Sequence, residues 1–254
     1  MIKKTQIALS VALLAAGAAH AGSFNNGGFE SGDLTGWTTG AGYWNTANMA
    51  DLTPANYLPG GAYYNAAYGV HDITNVGGVD AITGLSTVRY GNHAVRTNNA
   101  VNNYSVSLIQ QKVTNYSGTS INFSWAAVLQ ASHGATDSDN FTITLTDNTT
   151  NSVLTTISYN SATNGAIFSQ TGSWFYTKWI DETINVTAGH DYTLSLLAAD
   201  CPYGGHAGYV YLDGFGTVSG GPGDTTLPEP ASLALVGLAL AGVGLSRRRK
   251  AKAA

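Results

Sequence analysis

Cysteine occurs once in 254 residues, at Cys201, which rules out an intrachain disulfide framework and any multi-cysteine zinc or iron–sulfur site. Charge is sparse too: Asp, Glu, Lys and Arg together make up 10% of the chain. Its bases are placed badly for a nucleic-acid partner. Lys3, Lys4, Arg247, Arg248, Arg249, Lys250 and Lys252 sit at the two ends, and only Arg89, Arg96, Lys112 and Lys178 lie between. Residues 22–227 hold 14 carboxylates against those 4 bases, a balance of −10. A chain so composed has no basic face to displace counterions from a phosphate backbone. Glutamate is confined to Glu30, Glu182 and Glu229, which weighs against a Glu-based glycosidase. His71, His93, His133 and His190 are scattered, with no His-x-x-x-His spacing, so zinc is not expected. There is no Gly-x-Ser-x-Gly elbow, Walker loop, dinucleotide fingerprint or EF-hand loop. What is abundant is glycine, 31 residues against a usual share of ~7%. With 44% hydrophobic and 10% aromatic residues, a packed fold is expected rather than disorder.

The ends read as addresses. Residues 1–21 have a positive start at Lys3 and Lys4, an apolar run over 7–18, and Ala19-His20-Ala21, a small-x-small site placing cleavage between Ala21 and Gly22. An amphipathic helix is the alternative, but 7–18 has no polar face. At the other end, a Gly/Pro/Thr linker over 219–227 precedes Pro228-Glu229-Pro230, an apolar stretch over 231–245, and Arg247-Arg248-Arg249-Lys250. As a helix at ~1.5 Å per residue, that stretch spans about 22 Å, short of a ~30 Å hydrocarbon core. Its basic cluster would stay on the cytoplasmic side, with residues 251–254 as the cytoplasmic end. This three-part tail over 228–250 resembles the PEP-CTERM sorting signal of Gram-negative bacteria. The resemblance implies transient inner-membrane insertion after passage through the secretion machinery, then cleavage near Pro228-Glu229-Pro230 by an exosortase. It also implies a final place at the cell surface or in an exopolysaccharide matrix such as a biofilm. An ordinary tail anchor would keep the helix attached.

Between the ends the hydrophobic period is two. Ile121, Phe123, Trp125, Ala127 and Leu129 alternate with polar or small residues, as do Phe141, Ile143 and Leu145. Tyr192, Leu194, Leu196 and Ala198 repeat the pattern, and Tyr209, Tyr211 and Phe215 are read on one face of the last run. Each predicts a half-buried antiparallel strand. Weaker strands are predicted over 94–97, 105–113, 153–159, 174–180 and 184–186, with turn signals at Asp147-Asn148, Asn164-Gly165 and Ala188-Gly189. The fold class expected is all-β, a two-sheet antiparallel sandwich of jelly-roll type over 22–218, flanked by a signal peptide and an apolar sorting helix. Residues 39–89 lack alternation and read as long loops laid over one end or face, where binding usually resides.

Asn26-Gly27-Gly28-Phe29-Glu30-Ser31-Gly32 with Leu34-Thr35-Gly36-Trp37, Gly91-Asn92-His93-Ala94-Val95-Arg96, and Gly208-Tyr209-Val210-Tyr211-Leu212-Asp213-Gly214-Phe215 resemble three segments of galactose-binding-like jelly rolls, among them carbohydrate-binding modules of bacterial glycosidases. In those modules a structural calcium lies near the positions of Glu30 and Asp213, completed by carbonyl oxygens, which suits a six-to-eight oxygen ion. Both residues as solvated turn carboxylates is the other reading.

Asp200-Cys201-Pro202-Tyr203-Gly204-Gly205-His206-Ala207-Gly208-Tyr209 is the densest run of reactive types, and its Asp-Cys, Gly-Gly-His, Gly-Tyr-x-Tyr-x-Asp order resembles a signature of bacterial surface sandwiches of unknown role. Cys201 as nucleophile with His206 as base is one reading, although no orienting group or oxyanion hole is legible. A tight hairpin with buried Cys201 is favoured. Asp51, Asp72, Asp80, Asp181, Glu182 and Asp191 remain open as paired catalytic carboxylates. For ligand binding, Tyr43, Trp44, Tyr57, Tyr63, Tyr64 and Tyr68 in the long loops could stack on sugar rings, with Asn45, Asn56 and Asn65 to bond hydroxyls. Packing of these rings on the sheet is the competing reading, while Trp37, Trp125 and one of Trp174 or Trp179 are assigned to the core. The expectation is a non-catalytic exported protein that associates with exopolysaccharide. A structural or adhesive matrix protein without a sugar site, and an envelope-polysaccharide enzyme, are the alternatives.

Overall fold

The computed structural model describes residues 23–216 apart from Asn164. Residues 1–21 with the Ala21–Gly22 junction, Pro228-Glu229-Pro230, the apolar stretch and the cluster from Arg247 to Lys250 lie outside the described residues. No helix among the described residues is long and apolar enough to cross a membrane.

Twelve antiparallel strands form two sheets among the described residues. They are β1 (Thr38–Tyr43), β2 (His71–Asn75), β3 (His93–Thr97), β4 (Ser105–Val113), β5 (Ser120–Gln130), β6 (Asn140–Asp147), β7 (Ser152–Asn160), β8 (Ser169–Thr171), β9 (Trp174–Tyr176), β10 (Ile180–Asn185), β11 (Tyr192–Ala199) and β12 (Gly208–Asp213). One sheet runs β1-β4-β11-β6-β7, and the other β2-β3-β12-β5. The far edge of β5 is shared: β10 pairs along its first half, and β9, extended by β8, along its last residues. The strand predicted over 174–180 is therefore broken. Thr177 sits at the break, where its N–H donates to the Ala127 carbonyl at 3.0 Å and its Oγ1 accepts from the Ala127 N–H at 3.0 Å. That hydroxyl takes the place of a strand carbonyl, so β5 keeps its hydrogen bonds across the gap.

The predicted faces meet between the sheets. Phe123, Trp125, Ala127 and Leu129 of β5 pack with Phe141, Ile143 and Leu145 of β6 and Leu194, Leu196 and Ala198 of β11. β6 shows the alternation cleanly, its threonines half-exposed and its apolar residues buried. Other strands depart from the half-buried pattern, because β12 is buried at every residue and β4, β5 and β11 nearly so. The cause is the 39–89 segment, which covers an outer face of each sheet and not one end or face alone. Its first part sets Trp44 and Tyr57 on Val106, Leu108, Leu197 and Ala199. Its second part sets Ile82 and Leu85, with Trp174, Tyr176 and Trp179, on Ala126, Val128, Tyr209 and Tyr211. A single buried carboxylate pins that second flap: Asp80 Oδ2 accepts from the hydroxyls of Tyr209 at 2.7 Å and Tyr211 at 2.8 Å, while Oδ1 accepts from the N–H groups of Ile82 and Thr83.

Tyr209 and Tyr211 thus face outward beneath the flap, and Val210 and Leu212 supply the central core. Phe215 does not share the tyrosines' face as predicted. Gly214, at φ 66°, turns the chain so that Phe215 enters the central core. There its ring lies 4.0 Å from that of Phe24, and its N–H donates to the Gly27 carbonyl at 3.0 Å. A Cβ at Gly27 would come within 1.7 Å of the Phe215 oxygen, so only glycine fits. The described chain therefore begins and ends side by side, at the pole holding the β4–β5, β6–β7 and β10–β11 connections. The opposite pole holds the β3–β4, β5–β6 and β11–β12 connections.

Candidate functional site

At the pole away from the chain ends, antiparallel pairing puts Tyr43, the last residue of β1, opposite Ser105, the first of β4. Tyr104 precedes β4 with φ 65°, a backbone state that a non-glycine residue holds only under tertiary constraint. The constraint is visible: the Tyr104 carbonyl accepts from the Trp44 N–H at 2.9 Å, and Asp200 Oδ2 accepts from the flanking N–H groups of Asn103 and Ser105. As a result the Tyr104 ring lies 5.0 Å from that of Tyr43, which in turn lies 5.2 Å from Tyr68. Tyr68 stands on a 3-10 turn capped by Asn65, whose Oδ1 accepts from the Ala67 N–H at 3.0 Å. The three half-buried rings form a continuous aromatic row. It abuts the β11–β12 turn, where a Cβ at Gly204 would meet the Tyr104 hydroxyl at 2.6 Å.

Of the six loop aromatics, Tyr43 and Tyr68 fall in this row. Tyr64, 37% exposed, is bridged to Gly42 of β1. Tyr63 packs on Tyr57 and donates its hydroxyl to Asp51 Oδ2 at 2.8 Å. Trp44 and Tyr57 are corrected: at 2% and 0% exposure they hold the first flap onto β4 and β11 and offer no stacking face. Tyr104 was missed, since it lies outside the tyrosine-rich segment. Trp37 and Trp125 are core as assigned, whereas Trp174 and Trp179 both lie half-buried on the outer face of β5 and β12. Asn45 and Asn56, like Asn65, each commit side-chain atoms to their own loop, to the Ala47 N–H and the Asp51 carbonyl respectively.

The six carboxylates considered as catalytic pairs have separate partners. Asp72 pairs with Arg96, Asp181 with Arg89, and Asp191 with Lys112; Asp51 binds Tyr63, Asp80 the two buried tyrosines, and Glu182 the Trp125 Nε1–H. Carboxylates outside this set are shifted upward, Asp213 at the other pole among them. Burial pushes Asp139 up to about 8 and Asp200 up to about 6, against a usual value of 3.8. The charge of Asp200 adds to the shift of Asp139. Asp200 is the tie of the 98–105 connection, bonded to Asn98, Asn103 and Ser105, and Asp139 accepts from Gln130 N–H and Ser161 Oγ.

A profile of the PEP-CTERM protein-sorting motif matches residues 226–250. The chain is therefore marked for export and for processing at the membrane. No curated protein sequence matches it. Among solved structures it is similar to TmCBM61 in complex with β-1,4-galactotriose, at 11% identity over 76% of this chain and 95% of that one, with a TM-score of 0.41. It is similar to a carbohydrate-binding module specific for non-crystalline cellulose, CBM28, at 13% identity over 74% and 89%, TM-score 0.34. It is also similar to the K1 cleaved adhesin domain of Lys-gingipain from Porphyromonas gingivalis W83, at 13% identity over 73% and 92%, TM-score 0.35.

At the pole of the chain ends, Glu30 and Asp213 are drawn to one turn. Arg89 and Tyr90 donate backbone N–H groups to Asp213 Oδ2 at 2.9 and 2.8 Å. Asn92 and His93 donate theirs to Glu30. Gly91, at φ 63°, lets the turn close on Glu30: a Cβ there would lie 2.3 Å from Oε1. Asp213 is fully buried, and its Oδ1 has no hydrogen-bond partner. Burial, with a further push from the charge of Glu30, raises its carboxyl to about 7. A bare, buried carboxylate oxygen beside a second carboxylate is a fit for a hard cation.

Proposed function

We propose that the exported sandwich is a non-catalytic surface protein that holds exopolysaccharide in the extracellular matrix after exosortase has cut its tail. The observation that carries the reading is the Tyr68–Tyr43–Tyr104 row, three adjoining half-buried rings on a rigid sheet end. Sugar C–H faces stack on such rings, and rings fixed in advance lose little entropy on binding. The test is retardation of the protein in a native gel cast with the producer's polysaccharide. Retardation lost in Tyr43→Ala and Tyr104→Phe/Tyr43→Ala, yet kept in Tyr203→Ala, supports the row. Equal mobility with and without polymer sinks it, and release of reducing ends would establish an enzyme.

A matrix scaffold without a sugar site is the second reading, favoured by the use of Trp44 and Tyr57 as core. It expects no retardation by any polymer.

Calcium belongs to this proposal as a structural ion, held by Asp213 and Glu30. It would neutralise the two carboxylates and tie the last strand to the chain's first turns. The expected outcome is a melting temperature roughly 5–10 °C higher at a hundredfold excess of calcium over its dissociation constant. EGTA should reverse the rise, and Asp213→Asn should abolish it. A melting temperature indifferent to EGTA removes the ion from the proposal.

A further inference from the structure

The β11–β12 turn does more than adjoin the aromatic row. Its ends are closed by the Cys201 N–H donating to the His206 carbonyl at 3.1 Å, and its tip is bent by Gly204 and Gly205 at φ 80° and 89°. Closure sets Cys201 and His206 close together. The β5–β6 connection crosses the same pole and adds His133, whose ring lies 5.0 Å from that of His206 at an interplanar angle of 87°. One donor atom from each of the three residues lies within 4.8 Å of the other two. Cys201 is buried, its thiol directed at the Asp137 carbonyl at 3.4 Å. His206 Nδ1 is buried with no hydrogen-bond partner, whereas His133 is exposed.

We propose that Cys201, His206 and His133 form a three-ligand site for a borderline-soft divalent transition metal, with zinc as the reference ion. One sulfur and two imidazole nitrogens suit zinc and exclude the hard, oxygen-seeking calcium and magnesium. Zinc–sulfur and zinc–nitrogen bonds of ~2.3 and ~2.0 Å place tetrahedral donors about 3.5 Å apart. His133 is exposed and stands on a connection, so its side chain is free to turn toward the other two donors. On coordination the Cys201 thiol gives its proton to solvent and releases the Asp137 carbonyl, while both imidazoles bind neutral through a nitrogen lone pair. On the His133 side the cluster faces solvent: Tyr203, 54% exposed, lies edge-on against His133 at 5.4 Å. Three protein ligands and one free position describe a site that takes water or an external ligand, as catalytic zinc does, and not a closed structural clamp.

The test uses the full chain in detergent, stripped with a chelator and kept in excess calcium so that the carboxylates at the other pole are saturated. It is titrated with zinc chloride against a chromophoric competitor, and separately with cobalt chloride. One zinc per chain is expected, together with a thiolate-to-cobalt charge-transfer band. His133→Ala should weaken zinc at least about tenfold while leaving the metal-free melting temperature unchanged. Cys201→Ser should remove the band; if that buried substitution prevents folding, His133→Ala decides the matter alone. Absence of stoichiometric zinc, a cobalt spectrum without the sulfur band, or wild-type affinity in His133→Ala overturns the site.

Discussion

Buried carboxylates set the pH response of this protein. Asp139, Asp213 and Asp200 keep their protons to about 8, about 7 and about 6 when folded, against 3.8 when free. Between those values the folded state binds more protons than the unfolded one, so stability falls as pH rises through the window. Asp80 and Asp181 are shifted down, and their contribution is lost only in stronger acid. Thermal melts followed by circular dichroism should show the highest melting temperature near about pH 4 and a decline towards about pH 9. Asp139→Asn should flatten the upper part of that decline, since Ser161 can reverse its hydrogen bond to suit the amide; an unchanged slope refutes the assignment. Glu30 and Asp213 were singled out in the sequence because each lies inside a recognisable motif, although Glu30 stands in a turn ahead of β1 and not on a strand. Asp139 was not, because a carboxylate beside Ser138 and Asn140 reads as a turn until its burial is seen; Asp200 opens the run read for Cys201 and His206, and its own burial shows only in the fold.

Alternation of side chains made most strands legible. β4 runs over the predicted residues 105–113, and β6 shows the period of two directly. β1 and β2 were missed, because their own sequences, Thr38–Tyr43 and His71–Asn75, are polar or small and owe their pairing to neighbours. The flaps were illegible for a related reason. Trp44, Tyr57, Ile82 and Leu85 are single apolar residues at irregular spacing, and only the exposed sides of β4, β11, β5 and β12 give them a place. Removing Trp44 should therefore act on stability: Trp44→Ala is expected to cost about 3–5 kcal/mol in denaturant unfolding. Tyr43→Ala, half-exposed, should cost about 1 kcal/mol or less and act on polymer retardation. Equal losses of stability in the two variants would contradict the division between buried flap anchors and half-buried row.

For the whole molecule, terminal patterning revealed the mark for export and processing at the membrane, while the clustering of side chains at the two poles needed the fold. His133 and the Cys201–His206 pair are far apart in the chain, and only the β5–β6 and β11–β12 connections bring them together. The terminal addresses make a prediction about the intact protein. Mass spectrometry of the envelope fraction should find a chain starting at Gly22 and ending near Pro228. Replacing Pro228, Glu229 and Pro230 by alanine should leave the C-terminal basic residues attached; a full-length C-terminus in the unaltered protein would mean that the tail is a permanent anchor.

The meeting of Phe24 and Phe215 has a geometric outcome. Both ends of the described sandwich emerge from one small patch, the foot of a bulb-like body. The foot of that bulb carries Glu30 and Asp213, and its crown carries Tyr43, Tyr104 and His133. Whatever holds the foot, Tyr43, Tyr104 and His133 lie at the pole farthest from it.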